Sequence, residues 1–211
     1  MSRFSRLILD LVFPPACIAC RSRGFWVCAD CLDSIRVENL RRELPNLDRV
    51  TSLGSYANPV LRMMITGFKY QSATCLEPAF IALLKRYNAE YGSMDASYII
   101  PVPSSEERVL ERGFDHVSRL AKLIRDELVP KAEIRSALRR AKQSLSNADL
   151  DDHAARRGNV MGSFEIVGEI PKRVLLIDDV VTSGATAGEC AKLLREKGAR
   201  EVNLFTMASG G

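Results

Sequence analysis

Residues Arg173 to Ala187 read RVLLIDDVVTSGATA. The apolar run Val174 to Ile177 predicts a buried strand that ends in two adjacent carboxylates, Asp178 and Asp179. A turn of small and hydroxyl residues follows, Thr182-Ser183-Gly184-Ala185-Thr186. A helical pattern then runs from Gly188 to Lys197 and is closed by Gly198. Strand, loop and helix in that order present backbone N–H groups at a helix N-terminus, an arrangement that suits a phosphate. Gly184 lets the backbone come close to such an anion, and Thr182, Ser183 and Thr186 add hydroxyl donors. The paired carboxylates would repel the phosphate, so their task differs. They suit vicinal sugar hydroxyls, whose hydrogen bonds they accept, or a Mg²⁺ reached through water. The competing reading is an ordinary strand-turn-helix with a surface acidic pair. A receiver domain also carries an acidic pair after a strand, but near the start of its fold, whereas this pair lies in the final fifth of the chain.

Four of the six cysteines fall in one window, Cys17-x₂-Cys20-x₇-Cys28-x₂-Cys31. Two residues between the members of each pair let both sulfurs face one ion, and four thiolates make the tetrahedral shell of a structural zinc site. The shell is closed, so catalytic zinc is not expected. So short a segment has little apolar mass of its own, and the metal would supply its stability. The alternatives are two chance pairs or two disulfides, the latter disfavoured in a cytoplasmic setting. Cys190 falls within a helical pattern and reads as a core residue.

The chain has 211 residues, 46% of them hydrophobic, with a net charge of +4. That size fits one domain of ordinary size with a small appendage, and the mild basic excess permits nucleic-acid contact without arguing for it. The apolar stretch Leu7 to Phe13 is too short to span a membrane. It is interrupted by Asp10 and followed by no small-residue cleavage site, so a cytoplasmic protein without membrane insertion is expected.

Strand patterns at Val50–Tyr56, Tyr98–Val102, Phe164–Val167, Val174–Ile177 and Glu201–Met207 alternate with helical patterns at Val60–Phe68, Leu76–Tyr87, Val117–Leu128 and Gly188–Lys197. The expected class is α/β, a mainly parallel sheet with helices on both faces, plus a small N-terminal zinc-binding module. We place the module and its charged connector at residues 1–48 and the sheet domain at 49–211. Ser144 to Asp152 lacks periodicity and reads as a mobile loop. The basic run Arg135 to Lys142 reads as a solvated helix face, and His116 and His153 read as surface residues. Ligands of such sheets bind at the carboxyl ends of the strands, where Asp178 and Asp179 stand. A second strand, Ile99 to Val102, ends in Pro103-Ser104-Ser105, with Arg108 and Arg112 downstream. Its N–H groups and forked guanidinium groups suit a pyrophosphate, and Lys69 is a further candidate for the ligand phosphates.

RVLLIDDVVTSGATA resembles the phosphoribosyl-pyrophosphate (PRPP) signature of type I phosphoribosyltransferases. The resemblance implies that Asp178 and Asp179 hold the ribose 2′- and 3′-hydroxyls and are the candidate catalytic pair. It also implies that Thr182, Ser183, Gly184, Ala185 and Thr186, with Val181 beside them, hold the 5′-phosphate. Taken with the cysteine window, Phe68-Lys69-Tyr70, the VPSS loop, Arg112-Gly113-Phe114 and Arg156-Arg157-Gly158-Asn159, the chain resembles the ComF/GntX-like branch of that superfamily. That family usually has Asn-Gln after Arg-Gly-Phe, where this chain has Asp115 and His116.

The resemblance implies PRPP, or a related sugar phosphate, taken with Mg²⁺ and zinc held by Cys17, Cys20, Cys28 and Cys31. It also implies a link to competence, the bacterial uptake of DNA. The implied reaction moves the ribosyl 5-phosphate to a nitrogen nucleophile and releases pyrophosphate. Only about four residues follow the last predicted strand, so a C-terminal hood for an acceptor base is not expected. The zinc segment would take that place or act as a docking module. The alternatives are therefore a non-catalytic module that handles single-stranded DNA or docks on a DNA-uptake helicase and, more weakly, a nucleotide-salvage enzyme.

Overall fold

The apolar runs pair edge to edge in the computed structural model of the protein, which describes residues 14–70, 73–141 and 163–210. The strands are β1 (Leu40–Arg42), β2 (Arg49–Ser55), β3 (Tyr98–Pro101), β4 (Glu133–Ile134), β5 (Leu138–Arg140), β6 (Phe164–Ile166), β7 (Arg173–Val181) and β8 (Glu201–Ser209). Among the described residues the main sheet runs β1-β2-β8-β7-β3-β4. Only β1 is antiparallel to its neighbour. The helices are α1 (Ala29–Asp33), α2 (Pro59–Phe68), α3 (Ala73–Tyr91), α4 (Glu106–Arg112), α5 (His116–Leu128) and α6 (Ala185–Glu196).

A parallel sheet needs cover on both faces, and β7 shows how the sequence provides for it. Leu175 and Ile177 join the core under α2, α3 and α5. Val174 and Leu176 join the opposite core with Ala187, Cys190, Ala191 and Leu194 of α6. Each such side chain contributes roughly 1.5–3 kcal/mol when fully removed from water. Aromatic edges tighten the first core: Phe68 meets Phe80 at 4.9 Å between centroids, and Tyr87 meets Phe205 at 5.4 Å. Entry to α2 is fixed by Asn58, whose Oδ1 accepts from the N–H groups of Val60 and Leu61 at 3.0 Å each, with Pro59 in the first turn.

The mainly parallel sheet with helices on both faces is as the sequence predicts, but several local readings change. β7 does not stop at Ile177. It runs through the acidic pair to Val181, because Asp178 pairs with Thr206 and Val181 with Ser209 of β8. α6 starts at Ala185 rather than Gly188, and Glu106 to Arg112 forms a helix that the sequence reading missed. The basic run from Arg135 is no helix face: Leu138–Arg140 forms a strand paired with Phe164–Ile166. Within the connector, Leu40–Arg42 pairs with β2 as the sheet's edge. The predicted loop Ser144 to Asp152, the segment Arg156 to Asn159, His153 and the stretch Leu7 to Phe13 lie outside the described residues. No helix among the described residues is long and apolar enough to cross a membrane.

Candidate functional site

β3 and β7 are parallel neighbours, with Pro101 opposite Ile177. Whatever follows each strand therefore emerges side by side at the same edge of the sheet, and the Val102 N–H donates to the Ile177 carbonyl at 2.9 Å. A cleft of about 170 Å³ opens there. Pro103, Ser104 and Ser105 form one wall, Asp178, Asp179 and Thr186 another, and Lys69, Arg108, Arg112, His116 and Arg140 supply the rest of the lining. A smaller pocket of about 50 Å³ adjoins it, lined by Val181, Thr182, Ser183, Gly184, Ala185 and Thr186 and sharing Asp178 and Thr186 with the cleft. The structure thus brings every sequence-predicted sugar-phosphate residue to the rim or wall of two adjoining cavities.

Strand alternation sends the two carboxylates to opposite sides of β7. Asp179 follows Leu175 and Ile177 toward α2 and α5. There Lys69 Nζ lies 2.6 Å from its Oδ2 and His116 Nε2 lies 3.3 Å from the same atom. Burial pushes the Asp179 carboxyl up, but the His116 hydrogen bond and the Lys69 ammonium outweigh it and hold it down at about 2. Asp178 follows Val174 and Leu176 toward α6. Burial, joined by the negative charge of Asp179, pushes it up to about 8, against the hydrogen bond it accepts from the Asp179 backbone N–H at 2.8 Å. The two neighbouring carboxyls are thus shifted in opposite directions, Asp178 up and Asp179 down.

In the Thr182–Thr186 loop Gly184 adopts φ +74° and precedes α6 with no side chain capping the helix. The Ala185 N–H donates to Ser183 Oγ at 3.4 Å, and the amides that follow it in the first turn, with no side-chain cap, keep donor capacity for an anion. A Cβ at Gly184 would run into the side chain of Leu44, so the connector backs this loop closely. On the other wall Ser105 caps α4 by accepting from the Arg108 N–H at 3.4 Å. Ser104 donates to Asp115 Oδ1 at 3.0 Å.

Sequence reasoning missed two of the charged or ionisable lining residues, His116 and Arg140. His116 is only 6% exposed, and it is not a surface residue. Arg112 Nη1 sits 3.1 Å from its Nδ1. A guanidinium can only donate, so Nδ1 accepts and Nε2 carries the proton given to Asp179. Asp115, the other departure from the family pattern, is the N-cap of α5, accepting from the Val117 N–H at 3.1 Å and Ser118 Oγ at 2.6 Å. An acid just before an amphipathic run is a capping signal that the sequence did offer. Arg108 and Arg140 complete the basic lining. Lys69 engages a carboxylate rather than standing free for a phosphate, and Arg112 lies 5.7 Å from the Tyr70 ring centroid.

The four cysteine sulfurs of Cys17, Cys20, Cys28 and Cys31 lie within 4.8 Å of one another. Sulfurs of a tetrahedral zinc site with bonds near 2.3 Å stand about 3.8 Å apart, so the cluster can hold a metal such as zinc. Burial raises the Cys17 thiol, yet hydrogen bonds from the backbone of Cys20, Cys28 and Ala19 bring it down to about 6. Cys31 is pushed up to about 12, chiefly by its hydrogen bond with Cys28. One thiolate is thus favoured even before a metal supplies its charge.

No protein-family model matches the chain. It is 26% identical over 208 residues to Competence protein F of Haemophilus influenzae, covering 91% of this chain and 89% of that one. It is 29% identical over 151 residues to Competence protein ComFC of Streptococcus pneumoniae, covering 71% of this chain and 64% of that one. The DNA utilization protein YhgH of Escherichia coli O157:H7 is 27% identical over 170 residues, covering 77% of this chain and 73% of that one. Among solved structures, the allosteric regulatory enzyme of purine biosynthesis aligns at 20% identity with a TM-score of 0.44 over 67% of this chain. The glutamine PRPP amidotransferase of B. subtilis, complexed with ADP and GMP, aligns at 20% identity with a TM-score of 0.43 over the same share. The chain spans about 30% of the length of each. Three named relatives matched across most of this chain, together with the four-cysteine cluster near its start, support its resemblance to the ComF family.

Proposed function

We propose that the chain binds a 5-phosphorylated pentose carrying a 1-diphosphate, PRPP or a close relative, taken with Mg²⁺ as the substrate's counter-ion. One observation carries the reading: two adjoining cavities share the acidic residue Asp178, and cationic side chains line the larger while loop amides border the smaller. The 5′-phosphate would sit on Thr182 to Thr186 and the diphosphate by Ser104, Ser105, Arg108 and Arg112. The diol between them would meet Asp178 and Asp179. In the enzymatic form of the reading, a nitrogen nucleophile attacks C1 as pyrophosphate leaves, through an oxocarbenium-like transition state. The chain then contributes position and charge complementarity rather than a covalent nucleophile.

The four cysteines fit zinc, which would lock residues 17–31 as a structural module. The competence names of the relatives support a role in DNA uptake. The test is calorimetry with PRPP and Mg²⁺ on the wild type and on a folded Asp178→Asn, Asp179→Asn variant. The expected outcome is loss of binding in the variant, and normal PRPP affinity there would sink the assignment.

A second reading rests on a different surface. Phe25 is 59% exposed and Trp26 39%, beside Arg21 and Arg23 in the cysteine module. Exposed rings among basic residues suit the stacking of single-stranded DNA. In that reading the chain handles DNA or docks on an uptake helicase, with the sugar phosphate as ligand or regulator. Gel-shift titration at two salt concentrations tests it: affinity that falls steeply with salt supports it, and no binding at low salt removes it. Pyrophosphate release with candidate bases would favour the enzyme, a salvage activity included.

A further inference from the structure

Arg42 belongs to the connector that follows the cysteine module, and its partners are 140 and more residues away in the chain. Its Nη1 donates to the Thr182 carbonyl at 2.9 Å and to the Gly210 carbonyl at 2.9 Å, and lies 3.3 Å from Ser209 Oγ. One guanidinium therefore ties the end of β1 to the ends of β7 and β8. The Thr182 contact has a directional consequence. Every described peptide is trans, so the carbonyl of Thr182 and the N–H of Ser183 point in opposite directions from one plane. Holding that carbonyl on Arg42 turns the Ser183 N–H away from Arg42. The same connector backs the loop at Gly184 through Leu44. It also reaches α6, where Asn46 Nδ2 donates to the Gly188 carbonyl at 3.4 Å.

We infer that Arg42 is a positioning residue of the phosphate subsite. It fixes the Thr182–Ser183 peptide so that the loop's N–H groups converge on the 5′-phosphate, and it offsets the carbonyl dipoles of Thr182 and Gly210, which would otherwise oppose an anion. This rests on the sugar-phosphate reading and goes beyond it, since Arg42 lines neither cavity. The effect is specific to one subsite. The diphosphate side of the cleft is built on Ser104, Ser105, Arg108 and Arg112, which Arg42 does not touch.

The experiment compares two probes, ribose 5-phosphate and inorganic pyrophosphate, by calorimetry on the full zinc-loaded chain. Arg42→Met keeps the stem and removes the donors, whereas Arg42→Lys restores a charged donor to the same carbonyls. Arg42→Met is expected to weaken ribose 5-phosphate by about tenfold or more, the scale of one charge-assisted hydrogen bond, and to leave pyrophosphate within about twofold. Arg42→Lys is expected to recover ribose 5-phosphate affinity to within about threefold of wild type, because the charge and one donor remain. Unchanged ribose 5-phosphate affinity in Arg42→Met would overturn the inference. An equal loss of both probes would do the same, since it would mark a general role in the fold. If Arg42→Met does not fold, Arg42→Gln, which removes the charge and shortens the reach, is read by the same ratio of probes with the same expected selective loss. A wild type that takes pyrophosphate but no ribose 5-phosphate would remove the parent reading itself, an outcome seen before any variant is made.

Discussion

Replacing Gly184 with alanine tests the packing of the Thr182–Thr186 loop most directly, because the structure supplies two separable costs. The first is conformational. Gly184 sits at φ +74°, where an L-residue with a Cβ loses roughly 1–2 kcal/mol. The second is steric. The nearest atoms a new Cβ would meet all belong to the Leu44 side chain, which packs on the core of Val181, Ala187 and Leu204. Forcing Leu44 aside is an overpacking of about 1–3 kcal/mol. Alanine regains roughly 0.4–1 kcal/mol by restricting the unfolded chain. The net expectation for Gly184→Ala is a loss of about 2–4 kcal/mol, a large share of a typical domain's 5–15 kcal/mol. Leu44→Ala opens the space, so in the double variant the steric cost vanishes and the backbone cost stays. Urea unfolding of the four proteins, with midpoints compared at a common slope, gives the cycle. A favourable coupling of about 1–3 kcal/mol is expected, against the roughly 0.5 kcal/mol within which independent sites add. A Gly184→Ala protein as stable as wild type, or strict additivity, would refute the described contact between connector and loop.

Lys69→Met removes the ammonium from Asp179 at 2.6 Å. Because Asp179 is held below its ordinary value of 3.8, its contribution to stability is present above that value and is lost as pH falls toward about 2. The variant should be less stable by about 1 kcal/mol at pH 7. The gap should close below about pH 4, and a gap of constant size in melts from pH 7 to 3 would contradict the ion pair's role. His116→Gln keeps a donor for Asp179, so PRPP affinity should stay within about threefold, whereas His116→Ala should lose about tenfold, one hydrogen bond to a charged group. Calorimetry showing the two variants alike would remove His116 from the site. Trp26 is the sole tryptophan and lies between Cys20 and Cys28. Chelation should therefore shift its fluorescence while far-UV dichroism changes little, and unmoved emission would mean that the metal binds elsewhere.

The residues legible in the sequence are those whose partners are close in the chain. β7, the Thr182–Thr186 turn and α6 announce themselves because the apolar run, the acids and the glycine act within one strand-turn-helix. The cysteines do so because a metal shell imposes spacing on its ligands. His116 was not legible, since its role depends on Asp179, 63 residues away, and a single histidine at a helix start has no periodicity to betray it. Arg42 reads as part of a charged connector because an edge strand such as Leu40–Arg42 has only one partner and carries little apolar pattern. Arg140 sits in a short strand beside Phe164, whose ring centroid lies 5.4 Å from its guanidinium carbon. The surrounding basic residues hid that strand from a reading that weighed charge before alternation.

The unequal carboxyls resolve a tension raised by the sequence, in which an acidic pair stands immediately before a phosphate loop. If both acids were ionised, the phosphate would face two negative charges. The fold distributes them otherwise. Asp178, the acid on the α6 side that borders the smaller pocket, is the one that burial and the Asp179 charge push up, so the fold weakens the negative charge nearest the loop. Asp179, the ionised one, lies on the far side of β7 with Lys69 and His116 against it. With Lys69, Arg108, Arg112 and Arg140 in the lining beside Asp178 and Asp179, the cleft carries more cations than acids, an excess that favours a polyanion. On the proposed reading a sugar diol that meets the protonated form of Asp178 finds one oxygen that can donate and another that only accepts. A vicinal diol matches such a pair with both of its hydroxyls, whereas two carboxylates could only accept from it.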